Sequence, residues 1–116
     1  EHSDAIDNMR YREIFRLDEL FHNRLNAHCG NPHLQEMIEL MSDRGMTARF
    51  SAEMTPEFLN GVRDEHMQIL DAIRTCERER LVSTMRAHNV RGIDWFAKSI
   101  REREARAEEM SRDESA

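Results

Sequence analysis

Aspartate and histidine side chains at helical spacing are the residues in this sequence most suited to metal chemistry. Asp18 and His22 are four residues apart, so a helix would place them one turn apart and about 40° apart around its axis. One helix could then present a carboxylate oxygen and an imidazole nitrogen to the same cation. Taken alone, the pair equally fits a surface Asp–His contact.

Two further histidines, His66 and His88, fall on apolar helix faces and are 22 residues apart. In one continuous helix they would lie about 33 Å apart, which is too far to share an ion. The apolar pattern weakens from Thr75 to Arg78, which predicts a break there. A turn at Glu77, the midpoint, would bring the two histidines level on antiparallel neighbours. A four-ligand set then becomes possible in the bundle centre, from Asp18, His22, His66 and His88.

Three imidazoles and one carboxylate suit Zn²⁺ first, with Ni²⁺, Mn²⁺ or Fe²⁺ as alternatives, rather than Ca²⁺, which prefers oxygen ligands. Glu19 and His22 form a Glu-x-x-His motif, but the second copy that a di-iron bundle needs is absent. We expect the remaining histidines to be plain surface residues and the two cysteines to be small buried or half-buried residues. These are His2, His28, His33, Cys29 and Cys76.

The elements that must position these side chains all read as helices. Apolar residues at steps of three and four predict a helix from about Ala5 to Ala27, which Gly30 ends. Asn31-Pro32 and Thr55-Pro56 each combine a capping residue with proline at the first helical position. The predicted elements are helices over 5–27, from Pro32 to Gly45, from Pro56 to the break at 75–78 and from there to Ile100, with a loop over 46–54 and a charged, solvated tail over 101–116.

Composition supports one all-α domain. The chain has 116 residues, of which 39% are hydrophobic and 34% charged, with only two prolines and four glycines. Long helices tolerate this composition, whereas a sheet would need more turn residues. The net charge of −6 makes the segment a poor nucleic-acid binder by itself. Two cysteines suit a reducing cytoplasm, and no apolar run is long enough to span a membrane.

Two ordered motifs resemble a known family. Asp-x-x-Phe-His at 18–22, followed by Leu25, Ala27 and Gly-Asn-Pro-x-Leu at 30–34, is similar to the opening motif of the effector domain (FCD) of FadR-type GntR transcription regulators. Glu-His-x-x-Ile-Leu-x-Ala-Ile at 65–73, followed by Met85 and His88, resembles that domain's second motif. The family usually has aspartate where Glu77 stands, and glutamate is the poorer helix cap.

The resemblance implies an antiparallel helical bundle with a central metal and ligand cavity. It implies that Asp18, His22, His66 and His88 hold a divalent metal, and that a small carboxylate effector binds beside it. It further implies that residues 1–116 are an effector-binding and dimerisation domain, with a front that is shorter than usual. Operator DNA would be bound only by an N-terminal winged helix that this sequence lacks, in a cytoplasmic homodimer.

Two other functions fit the same residues. A mononuclear metal enzyme could use an open metal position to activate water, with Glu19 or Glu65 as the general base. A structural helical interaction domain could instead hold its histidines by hydrogen bonds in the core, without a metal. The regulator remains the leading hypothesis, and we expect the domain to have no enzymatic activity.

Overall fold

The computed structural model describes the backbone of residues 1–7 and 10–116, and the side chains there except at positions 3, 4, 7, 46–48, 50 and 51. No strand occurs in the described backbone, so the all-α prediction is confirmed. The antiparallel arrangement and the central cavity stay predictions. The helices are α1 (His2–Asp7), α2 (Tyr11–Asn26), α3 (Pro32–Ser51), α4 (Pro56–Arg74) and α5 (Arg78–Ser115).

The chain divides into two compact units, the first comprising residues 1–46 and 54–67 and the second comprising 47–53 and 68–116. In the first unit α1 packs against α2. Its buried apolar residues are Ala5, Ile6, Ile14, Leu17, Phe58 and Leu59. In the second unit Ile69 and Ala72 of α4 and Ser99 of α5 are buried, and the Trp95 indole donates a hydrogen bond of 2.9 Å to the carbonyl of Glu53.

The single helix predicted from Ala5 to Ala27 is divided. Helix α1 ends at Asp7 and α2 begins at Tyr11, because Arg10 leaves the helical backbone region (φ −87°, ψ 77°). Its amide donates to the carbonyl of Ala5 at 2.9 Å. The apolar step of five residues from Met9 to Ile14 already departs from helical periodicity, although Met9 itself lies outside the described residues.

Both predicted cap-plus-proline starts are confirmed. The Leu34 amide donates to Asn31 Oδ1 at 3.1 Å, and the Phe58 amide donates to Thr55 Oγ1 at 3.1 Å. Each bond satisfies a backbone donor that the first turn of a helix otherwise leaves without a helical partner. The starts of α3 and α4 are therefore encoded locally.

The predicted end of α3 at Gly45 is wrong. The helix continues to Ser51, so the predicted loop over 46–54 is helical for most of its length. Glycine inside a helix costs about 1 kcal/mol relative to alanine, which other interactions can offset. Gly45 also lacks the left-handed backbone conformation of a helix-ending glycine.

The predicted break at 75–78 is confirmed as a tight turn. The Glu77 amide donates to the carbonyl of Ala72 and the Cys76 amide to that of Ile73, at 3.0 and 3.1 Å. This pair of bonds is a Schellman helix end, in which the residue at the position of Cys76 takes a left-handed conformation. Cys76 does so with φ 56°. It is exposed, as is Cys29, so the expectation that both cysteines are buried or half-buried is wrong.

Glu77 stands at the position before α5, and side-chain interactions around the turn take the place of a capping bond from it. Glu77 forms no side-chain capping bond to α5. Its carboxylate instead accepts hydrogen bonds from Arg80 at 2.7 Å and from the Thr75 hydroxyl at 2.9 Å, and Arg80 also reaches Asp71 at 2.9 Å. The hydrogen bond from Arg80 lowers the pKa of Glu77 below its ordinary value. Residues of the α4–α5 turn are thus held by interactions across it.

The charged tail is helical. Helix α5 runs on to Ser115, and every residue of 101–116 is exposed. The expected solvation is confirmed. In the described part of the chain, no helix has the length and apolar character needed to cross a membrane.

The conformation of Cys76 yields a stability prediction. A left-handed conformation costs a residue with a Cβ atom about 1–2 kcal/mol, and glycine largely avoids that cost. We expect Cys76→Gly to raise the free energy of unfolding by about 1 kcal/mol, as measured by urea denaturation. Cys76→Ala is the matched control, because it removes the thiol but keeps the Cβ atom. Equal stability of the two variants would contradict the prediction.

Candidate metal centre

Helix α2 supplies the carboxylate and the first imidazole. Asp18 and His22 lie one turn apart on it, and Asp18 Oδ1 is 3.7 Å from His22 Nε2. Ile14 and Leu17, which precede them, are buried and hold this part of α2 in the core of the first unit. Asp18 and His22 themselves are partly exposed, with 22% and 24% of their side-chain surfaces accessible.

Helix α4 supplies the second imidazole. His66 is only 5% exposed, and its Nε2 atom lies 3.5 Å from Asp18 Oδ1. Leu59 is seven residues before His66 on α4, a spacing that places both on one helix face, and Leu59 is also buried. The prediction that His66 points into the protein is confirmed.

Aromatic contacts fix the orientation of the two imidazoles. The Phe21 ring stacks on His66 with centroids 4.1 Å apart and planes 15° apart. Phe21 also meets the ring of His22 edge to face at 5.2 Å. The two imidazoles are nearly perpendicular to each other, with centroids 5.1 Å apart. Phe21 therefore restrains both rings, a role that the sequence motif alone did not reveal.

The spacing of these donor atoms fits a metal ion. Ligand atoms bound at about 2.1 Å in tetrahedral geometry lie about 3.4 Å apart. The two distances from Asp18 Oδ1, 3.7 and 3.5 Å, are close to this value, and both are long for a hydrogen bond. One ring nitrogen of His22 and one of His66 are within 4.8 Å of each other. Within the first unit, three of the four predicted ligands thus come together.

The fourth predicted ligand, His88, belongs to the second unit. It lies on α5 and is half-buried, and it makes interactions of its own. It is eleven residues beyond Glu77, as His66 is eleven residues before it.

His2 is a residue that the sequence reasoning missed. It was expected to be a surface histidine, but its ring stacks on His66 with centroids 5.5 Å apart and planes 24° apart. Burial lowers its pKa below the ordinary value of 6.5, against the opposing effect of Asp18. Its position three and four residues before the buried Ala5 and Ile6 is the helical spacing that could have revealed it. His28 and His33 are exposed, as predicted.

A comparison of the sequence with known families bears on this arrangement. Residues 1–91 match the model of the FCD domain. The chain belongs to the FCD domain family. This family is the effector-binding C-terminal domain of GntR-family regulators, so the chain is a ligand-sensing regulatory domain. The resemblance found in the two motifs is confirmed at this level, and the assignment to the FadR subfamily stays a prediction. No curated protein and no solved structure matches the chain.

The burial of His2 gives a pH prediction for the metal-free FCD domain. Because its pKa is lowered in the folded state, the unfolded chain takes up the proton first as the pH falls. Stability is therefore complete above the unfolded value of about 6.5 and is lost as the pH drops from there towards the lowered pKa. We expect urea denaturation in the presence of a chelator to show this loss.

His2→Phe serves as the comparison for that experiment. Phenylalanine retains a ring to stack on His66 but cannot bind a proton. The loss of stability between about pH 7 and pH 5 should be smaller in this variant than in the wild type. Equal losses would show that another group causes the pH dependence.

Proposed function

We propose that this FCD domain senses a small organic acid through a divalent metal held by Asp18, His22, His66 and His88. The observation that carries the proposal is the position of Asp18 Oδ1, 3.7 Å from the Nε2 atom of His22 and 3.5 Å from that of His66. Two imidazole nitrogens, from two helices, thus lie close to one carboxylate oxygen. Such mixed nitrogen and oxygen donors favour Zn²⁺, with Ni²⁺, Mn²⁺ or Fe²⁺ as alternatives.

His88 is the proposed third imidazole. It lies on α5 in the second unit, and the resemblance of the second motif assigns it to the ligand set. The half-buried position of His88 on α5 is compatible with this role. The turn that precedes α5 is held by the Schellman bonds and by the hydrogen bonds of Arg80 to Asp71 and Glu77.

A metal held by four protein ligands retains open coordination positions when it takes five or six ligands rather than the tetrahedral four. When bound, it would supply a positive charge that attracts a carboxylate in surroundings of low dielectric constant. Asp18 contributes only one negative charge, so a divalent ion in this set keeps a net positive charge. This charge balance supports an anionic effector.

The sensing mechanism needs a difference in free energy between two arrangements of the regulator. An effector changes operator DNA binding only if it binds one arrangement more tightly than the other. We propose that the DNA-binding arrangement belongs to a cytoplasmic homodimer whose N-terminal winged helices contact the operator. The acidic charge of this chain, −6, supports placing the DNA contact on another domain.

Metal binding tests the ligand set directly. We expect purified domain incubated with Zn²⁺ and desalted to retain one ion per chain, measured by elemental analysis. Asp18→Asn, His22→Ala, His66→Ala and His88→Ala should each weaken Zn²⁺ binding by more than about 100-fold, because even the loss of a residue behind the ligands costs 10–100-fold. Asp43→Asn and His33→Ala, at exposed positions, are the matched controls and should bind as the wild type does.

Unchanged Zn²⁺ affinity in the Asp18 and His66 variants would rule out the proposed centre. Circular dichroism of each metal-free variant establishes that it is folded. A variant that remains helical but loses the ion has lost a ligand rather than the fold.

Thermal melting separates the sensor from a metal-free structural domain. A ligand at 100 times its dissociation constant stabilises the folded state by about 2.7 kcal/mol. We therefore expect Zn²⁺ to raise the melting temperature of the wild type, a chelator to reverse the shift, and the His66→Ala variant to show neither effect. If neither Zn²⁺ nor the chelator changes the melting temperature of the wild type, the hypothesis of a metal-free structural domain is favoured.

A further inference from the structure

The His2 imidazole has a buried ring nitrogen. Its Nε2 atom is shielded from solvent and has no hydrogen-bond partner within the part of the chain that the structure describes. Burying a polar atom without a partner costs free energy, so buried nitrogens in proteins are nearly always hydrogen-bonded. His2 is therefore a candidate for a bond to a molecule other than the protein.

The packing of α1 places the His2 ring against His66, a residue of the proposed metal centre. Ala5 and Ile6, one turn further along α1, are fully or almost fully buried and fix the helix against α2. The His2 ring in turn stacks on His66 at 5.5 Å. Its place is thus set by apolar packing rather than by a polar bond of its own.

His2 lies next to the metal-binding residues without belonging to them. His2 is not one of the four proposed ligands, and it contacts one of them, His66, through its ring. A residue behind a ligand would normally hydrogen-bond it, whereas His2 meets His66 ring to ring. The His2 Nε2 atom is thus not used to hold a proposed ligand in place.

We propose that His2 donates a hydrogen bond from Nε2 to a carboxylate oxygen of the small molecule that the metal holds. The inference rests on the proposed function and names one protein contact of that molecule beyond the metal ligands. A neutral imidazole has one N–H donor, and a carboxylate accepts hydrogen bonds only.

The test uses the Zn²⁺-loaded domain, with citrate as the probe and calorimetry as the measurement. His2→Phe keeps an aromatic ring against His66 and removes the donor. We expect this variant to retain the Zn²⁺ content of the wild type. Its affinity for citrate should be about 10-fold lower than that of the wild type. His2→Gln, which restores an N–H donor, should recover part of the affinity. His33→Phe, at an exposed position on α3, is the matched control and should match the wild type.

A second measurement follows the bond itself. In protein labelled with ¹⁵N-histidine, citrate should shift the Nε2 resonance of His2 and slow the exchange of its proton with water. A purely structural role for His2 predicts no such change on adding citrate. The shift should be absent when citrate is added to protein without Zn²⁺, because the proposed carboxylate is held by the metal.

The possible outcomes separate this inference from the proposed function. Equal citrate affinity in the wild type and His2→Phe, with Zn²⁺ bound in both, overturns the role of His2 and leaves the metal sensor standing. Loss of Zn²⁺ in the folded His2→Phe variant also overturns it, since His2 would then support the metal. Inorganic phosphate binding in place of citrate contradicts the carboxylate assignment. A wild type that binds neither Zn²⁺ nor citrate overturns both proposals.

Discussion

The approach of one carboxylate oxygen to two imidazoles is the constraint on which the rest of the first unit depends. Asp18 Oδ1 lies between 3.5 and 3.7 Å from nitrogens that come from α2 and α4. These polar groups are expensive to bury, and His66 is buried almost completely. A cation shared by the three groups would offset that cost, since a bound ion is the largest local charge in such a site.

Apolar packing supplies the precision that this arrangement needs. Phe21 contacts the imidazoles of His22 and His66, and in the sequence motif it stands between Asp18 and His22, directly before His22. Because it is three residues after Asp18, it lies on a neighbouring part of the α2 surface. The motif thus combines the carboxylate, one imidazole and the ring that orients both imidazoles within five residues.

The sequence was sufficient for the parts of the fold that are encoded locally. The caps at Asn31 and Thr55 and the break at 75–78 depend on neighbouring residues and were predicted correctly. The ends of helices were less predictable, because the cost of Gly45 inside a helix, about 1 kcal/mol, can be offset by interactions that the sequence does not display. The burial of apolar residues was also hard to predict from the sequence. The apolar stripe of α3 that includes Leu34 and Met37, for example, is largely exposed.

In the candidate site, too, the contacts within one helix were predictable and those between helices were less so. Asp18 and His22 could be paired from their spacing, because four residues on a helix bring two side chains together. Joining them to His66 required a contact between two helices, which the sequence suggested through the apolar helix face that carries His66 and through the resemblance of its two motifs. Neither argument identified His2, whose burial arises from the packing of the separate helix α1 on α2; its helical spacing from Ala5 and Ile6 was the only local signal.

The packing of α1 gives the proposed His2 contact a wider consequence. Helix α1 (His2–Asp7) is held against α2 by the burial of Ala5 and Ile6. A ligand bonded to His2 would add to this packing, and by linkage the order of α1 would strengthen the binding of that ligand to the same degree. Effector binding and the docking of α1 would then be two sides of one equilibrium, which is the coupling that a sensing domain requires.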